Sequence, residues 1–255
     1  MRFASLGSGS RGNALVVESG QTRLLLDCGF GPRDTVARLA RAGLAAEDLA
    51  GIVVTHEHSD HVAGAFKFAA RHGLTVWMTH GTLSAAPRGR GALPAVVIIG
   101  SHEPFRVDGL EIHPFPVPHD AREPVQFAFS DGRRRLGVLT DAGCSTAHIE
   151  HMLSGCDALV LECNHDPALL ESGPYPPHLK QRISGRFGHL DNLAAAGLLA
   201  ALDNSRLQHI VAAHLSEKNN RPGLAQAALA EALNCAPEWI GVASQEEGFA
   251  WREIF

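Results

Sequence analysis

The imidazoles of His56, His58 and His61 and the carboxylate of Asp60 fall within six residues in Thr55-His56-Glu57-His58-Ser59-Asp60-His61. These nitrogen and oxygen donors suit zinc, manganese or iron. The stretch follows Gly51-Ile52-Val53-Val54, an apolar run of the kind found in buried parallel strands. It precedes residues 62–72, whose apolar spacing is helical and which end at Gly73. The donors therefore sit where a strand gives way to a helix. Side chains alternate in the extended part, so His56 and His58 point the same way. Asp60 and His61 open the helix and face the other side of the same hole. His119, Asp141 and His214 each stand just past another apolar extended run, where functional residues gather in such sheets. One zinc site needs three or four protein ligands. Seven candidates suit two divalent ions, Zn2+ or Mn2+, sharing a carboxylate. Such a pair activates water at neutral pH and absorbs developing negative charge, so hydrolysis is the expected reaction.

The elements that must position these residues can be read in chain order. Residues 2–6, 14–18 and 22–26 read as strands, the last two as a hairpin. The glycine-serine loop at 7–13 joins two strands and lacks the Lys-Ser/Thr of a phosphate-binding loop. Asp27, at the end of Leu24-Leu25-Leu26, is placed to orient a metal-site loop. Residues 32–42 form a helix with proline near its first turn. Strands are expected at 75–78, 95–99, 104–107 and 110–115, with a short helix at 79–87 and a loop at 88–93. Pro114, Pro116 and Pro118 alternate, so that segment is an extended arm delivering His119. A returning strand at 123–127 and one at 135–139 follow, then a helix at 145–153 and a strand at 158–161. Residues 171–188, rich in Pro, Gly and basic residues, read as a surface loop. Helices at 190–202 and 221–233 flank a strand at 208–212, and a final strand pair lies near Gly241 and Phe249. The pattern fits an α/β fold, an αββα four-layer sandwich of two mixed sheets with helices outside. No fixed-period repeat or linker divides the chain, and residues 1–255 read as one hydrolase domain.

Composition narrows the class. The apolar fraction of 45% is ordinary for a globular protein. No run approaches a membrane-spanning length, and Met1-Arg2-Phe3-Ala4-Ser5 lacks a signal-peptide core. Cys28, Cys144, Cys156, Cys163 and Cys235 are odd in number and widely spaced, which argues against a disulfide framework or a thiolate zinc site. A cytoplasmic protein with no membrane role is expected. The net charge of −5 does not suggest a general nucleic-acid coat, yet basic residues cluster at 133–135, 180–186 and 218–221. Among the remaining histidines, His148 and His151 are one helical turn apart and read as a solvated face.

The His-x-His-x-Asp-His pattern of residues 56–61 resembles the signature of the metallo-β-lactamase superfamily. That resemblance implies that His56, His58 and His119 hold one metal, that Asp60, His61 and His214 hold the second, and that Asp141 bridges. It also favours the supporting role of Asp27, since an Asp-x-Gly recurs there. Further segments resemble the YycJ/WalJ-like metallohydrolases: residues 5–13, 119–125, 162–166, 185–192 and 214–220. One departure is Asp191, where that group tends to have serine. The resemblance implies a phosphodiesterase with 5′-to-3′ exonuclease activity on double-stranded DNA; the ribonuclease Z and phosphoribosyl cyclic phosphodiesterase groups are also similar.

His189, at an expected helix start, is the candidate general acid, with His165 in reserve and Asp60 in the catalytic set. Arg186, Lys218 and Asn219 are candidate phosphate contacts. Nucleic acid, DNA first, is the expected partner, and self-association is left open. The alternatives are an RNA or small cyclic-nucleotide-type phosphodiesterase, a glyoxalase-type thioesterase and a non-catalytic metal-binding sensor or scaffold. The thioesterase would need a basic C-terminal surface, and residues 236–255 carry only Arg252. A sensor is usually marked by lost ligands, and none is missing.

Overall fold

Strands with apolar residues on both faces need cover on both sides, and most strands of this chain receive it. The computed structural model describes residues 1–87 and 93–255. Strands β1 (Arg2–Gly7), β2 (Ala14–Ser19), β3 (Thr22–Leu26), β4 (Gly51–Val53), β5 (Thr75–Met78) and β6 (Val96–Ile98) belong to the first sheet. The second holds β7 (Phe105–Val107), β8 (Leu110–Pro116), β9 (Val125–Ser130), β10 (Arg135–Leu139), β11 (Ala158–Glu162), β12 (His209–Ala213) and β13 (Gly241–Val242). The last strand, β14 (Phe249–Glu253), returns to the first sheet beside β1. Each sheet has seven strands among the described residues, ordered β14-β1-β2-β3-β4-β5-β6 and β13-β12-β11-β10-β9-β8-β7.

The two-residue period of a strand sorts the core into layers. Leu15, Val17, Leu24 and Leu26 of the first sheet meet Phe127, Phe129, Leu136, Val138, Val160 and Val211 of the second. Their chain neighbours turn the other way. Val16, Leu25 and Ile52 pack beneath α1 (Pro32–Arg41), and the short helix α2 (Ser59–Val62) and α3 (Ala65–His72) complete that outer layer. The helix α4 (His80–Ala85) follows β5. On the far side, Leu139, Leu159, Leu161, Ile210 and Ala212 pack under α5 (Ala147–Leu153). Helices α6 (Pro167–Ser172) and α7 (Pro177–Ile183) come next, then α8 (Asn192–Ala201) and α9 (Pro222–Leu233), which join that layer. The order helix, sheet, sheet, helix is the expected αββα sandwich.

Three expectations change. Residues 171–188 are not one loop: they include the end of α6 and all of α7, whose prolines at Pro167 and Pro177 occupy first helical positions, where the missing N–H costs nothing. The helix expected over 62–72 divides at Ala63–Gly64, where the Gly64 N–H donates to the Cys28 carbonyl at 2.8 Å rather than to the preceding helical turn. The final two strands do not pair with each other; β13 pairs with β12 and β14 with β1. Most of the loop expected at 88–93, residues 88–92, lies outside the described residues. Among the described residues, no helix is long and apolar enough to cross a membrane.

Candidate metal centre

Strands β3, β4, β10, β11 and β12 all end on the same cluster. Three residues there carry unusual backbone: Asp27, Asp141 and His214 have φ of 60, 53 and 54°. A non-glycine residue in the left-handed region costs of order 1–3 kcal/mol and persists where the surroundings over-determine it. Each bends the chain sharply just past its strand. His58 caps the N-terminus of α2, with Asp60 and His61 in that helix's single turn.

His56, His58 and His119 bring one ligand atom each to within 4.8 Å of one another, and so do Asp60, His61 and His214. Asp141 lies between the two groups. Its Oδ2 is 3.0 Å from His61 Nε2, and its Oδ1 is 3.6 Å from His214 Nε2 and 3.9 Å from His119 Nε2. The buried atom His56 Nε2 makes no hydrogen bond, and buried Asp141 Oδ2 has the His61 ring nitrogen beside it. Buried polar atoms without a partner, facing further donors, are what a cation would satisfy. The donor set is nitrogen and oxygen throughout, which fits a divalent metal of the zinc or manganese kind. Cys28 is no competitor: burial pushes its thiol up to about 12.

Outer partners set the imidazole tautomers. His61 Nδ1 lies 2.7 Å from Asp27 Oδ2, and Asp27 Oδ1 accepts from the Thr55 N–H at 2.8 Å. His119 Nδ1 faces the Gly188 carbonyl at 3.0 Å. A carboxylate or carbonyl only accepts, so each Nδ1 donates and leaves Nε2 for the cluster. The glycine-serine loop braces the same place: Ser8 Oγ accepts from the His214 N–H at 2.9 Å, and Asn13 Nδ2 is 3.3 Å from Asp60 Oδ2.

Glu162 is the residue that the sequence reading passed over. It is fully buried, lies 2.8 Å from His189 Nδ1 and 3.3 Å from His214 Nδ1, and accepts from the Ala142 and Leu190 N–H groups at 2.9 and 3.1 Å. Its signal was available, because Glu162 ends the run Ala158-Leu159-Val160-Leu161 much as His214 follows its own.

Charge balance follows from this crowding. Burial would raise the Asp141 carboxyl, but His214 and His61 outweigh it and hold it well below the usual range. Burial would likewise raise Glu162, and His189 brings it down to about 2. Burial would lower His214, yet Asp141, Asp60 and Glu162 carry it up to about 10. Burial and neighbouring imidazoles hold His56 well below its ordinary value, in the neutral form that ligates. The carboxylates demand positive charge, and divalent ions are a direct source of it.

A cavity of about 350 Å³ opens on the cluster, and His58, Asp60, Asp141, His189 and His214 line it. Arg182 also lines it and pairs with Asp120 at 2.6 Å. His165 does not: it is fully buried, its Nδ1 3.3 Å from Asn164 Oδ1. Neither Arg186 nor Lys218 lines the cavity, though both are exposed. Asn219 is 1% exposed and also stands outside it.

The family model described as the beta-lactamase superfamily domain matches residues 22–215, and the chain belongs to that family. It is a metal-dependent phosphodiester hydrolase of the metallo-β-lactamase fold, of the YycJ/WalJ-like kind. Exodeoxyribonuclease YycJ of Bacillus anthracis is 34% identical over 100% of this chain and 93% of its own length. Exodeoxyribonuclease WalJ of Streptococcus pneumoniae is 30% identical over 94% of this chain and 91% of its own. The crystal structure of the metallo-beta-lactamase fold protein YhfI from Bacillus subtilis superposes with a TM-score of 0.72 at 15% identity, covering 98% of both chains.

Proposed function

We propose that this protein is a dinuclear exodeoxyribonuclease that shortens double-stranded DNA from the 5′ end, loaded with two zinc or two manganese ions. One observation carries the reading: Asp141 stands between two donor triads. Similarity along the whole chain to two exodeoxyribonucleases supports the substrate. In this reading His56, His58 and His119 hold one ion, Asp60, His61 and His214 the other, and Asp141 both, with Asp27 orienting His61. The ions would supply Lewis acidity toward a phosphoryl oxygen and lower the pKa of water from 15.7 to about 7.

The protein's own residues supply the rest. Glu162 has no proton to give, so His189 carries its hydrogen on Nδ1 and keeps Nε2 free. Burial would lower the His189 pKa, and Glu162, which holds no ion in this reading, raises it toward the protonated ring. That ring protonates the departing 3′-oxygen, an alkoxide that leaves poorly without a proton. His165, enclosed and away from the cavity, is a poor substitute. Arg182 faces the phosphate, and Arg186 and Lys218 neutralise flanking phosphates; Asn219 is too enclosed to join them. A cytoplasmic location accords with five free cysteines.

The test is a substrate panel of linear duplex DNA, RNA, bis-nitrophenyl phosphate and a glutathione thioester with manganese-loaded protein. The expected result is digestion of the duplex from its 5′ ends, hydrolysis of the small diester and no thioesterase activity. Cleavage of RNA with the duplex left intact, or of the thioester alone, would overturn the reading.

A further inference from the structure

The cavity over the metal cluster has one wall of a different chemistry. Tyr175, Leu179 and Ile183 line it at four-residue spacing along α7 and its lead-in, opposite donors that are all polar. None of the three is fully buried, and no residue of α7 is. Leu179 and Ile183, four apart on α7, share one face of that helix, and Tyr175 joins them in the cavity lining from the segment before it, so this side presents an apolar wall to a site whose reacting group is a phosphodiester. A phosphate has no use for such a wall. The planar base attached to that phosphate does.

Tyr175 is held ready for this. Pro174 precedes it, and Pro176 and Pro177 follow; a residue before proline is restricted to extended backbone. The Lys218 ammonium sits over the ring, 5.3 Å from its centroid, where a cation polarises the aromatic face. The far end of α7 is fastened to the loop of His189, whose N–H donates to the Ile183 carbonyl at 2.9 Å. Gly188 permits that approach, since a Cβ there would stand 2.1 Å from the same oxygen. Arg182, on the same helix, is tied to Asp120. The apolar wall and the proposed proton donor therefore belong to one braced unit. At about 350 Å³ the cavity is near the lower end of small-molecule sites, roughly 300–1,000 Å³, room for one nucleotide rather than a run of them.

We infer that Tyr175, with Leu179 and Ile183 beside it, is a stacking platform for the nucleobase next to the scissile phosphate, so that the site selects nucleotides over other phosphate esters. This rests on the phosphodiesterase reading and adds the group that is recognised. Stacking is indifferent to base identity, because every base has a π-face, which suits an enzyme that must accept each nucleotide in turn. It also gives Lys218 a place behind the ring as well as near a phosphate.

The test compares binding of thymidine 5′-monophosphate and 1,2-dideoxyribose 5-phosphate, in which hydrogen replaces the base, to the metal-loaded protein by calorimetry. Base–aromatic stacking contributes ~1–3 kcal/mol per base, so the wild type should prefer the nucleotide by about 5- to 140-fold. Tyr175→Ala should bring the preference close to one, and Tyr175→Phe should keep it. A wild-type preference near one, or an equal preference in Tyr175→Ala, would overturn the platform. A protein that binds the nucleotide through its base yet degrades neither DNA nor RNA would refute the nuclease reading alone. Degradation of DNA with no base preference would refute the platform alone.

Discussion

Glu162 satisfies four donors from the interior of the second sheet: two backbone N–H groups and the Nδ1 atoms of His189 and His214. A buried carboxylate with that many partners fixes ring orientation as well as charge. Its hold on His189, which does line the cavity, leads to two predictions. His189→Ala should lose ~10²–10⁴-fold on DNA, the usual contribution of a general acid, and far less on bis-nitrophenyl phosphate, whose leaving group departs unprotonated. Metal content should be unchanged; equal losses on both substrates would make His189 a positioning residue. The second concerns pH. Glu162 raises the His189 pKa against the effect of burial, and an acid must be protonated, so kcat/KM on DNA should fall as pH rises through the pKa of His189. In Glu162→Gln the largest raising influence is gone, and the falling limb should move to lower pH. A limb that stays in place would locate the proton elsewhere. Much at this scale was legible in the sequence, because a histidine or aspartate ending an apolar run declares itself. What was not legible was the company: Glu162 beside His189, or Lys218 beside Tyr175, depends on which loops meet.

Segment 171–188 shows how an element escapes a reading by composition. Proline and glycine mark loops, but proline is also favoured at the first position of a helix, and α6 and α7 both begin that way. Only tertiary placement shows that α7 is a wall of the cavity. The next helix was easier to see, and its start can be tested. Asp191 caps α8, its Oδ1 accepting from the Ala194 N–H at 2.7 Å. A serine at this position would make the same bond, so either residue serves as the cap. Asp191→Ala should cost ~0.5–2 kcal/mol of stability, read from the urea midpoint at unchanged slope, and Asp191→Ser should recover most of it. A cap variant as stable as the wild type would mean that packing of α8 on α9 alone holds that helix start.

Across the whole molecule, the two-residue period of the strands organises the fold. Alternation along β2, β3, β10, β11 and β12 sends one set of side chains between the sheets and the other under the helices, and that much the apolar runs foretold. Sheet membership was not foretold for the last strands: β13 and β14 lie only a few residues apart but enter different sheets, because strand pairing is decided by partners far away in the chain. The arrangement leaves the ends of five strands around one cluster, with Asp141 at the junction. The most direct test of the account counts metal ions per chain in wild type and Asp141→Asn while digestion of linear duplex DNA is followed on the same samples. Two ions per chain and digestion are expected in the wild type, with fewer than two ions and no digestion in Asp141→Asn. Two ions retained by the variant together with undiminished digestion would contradict it.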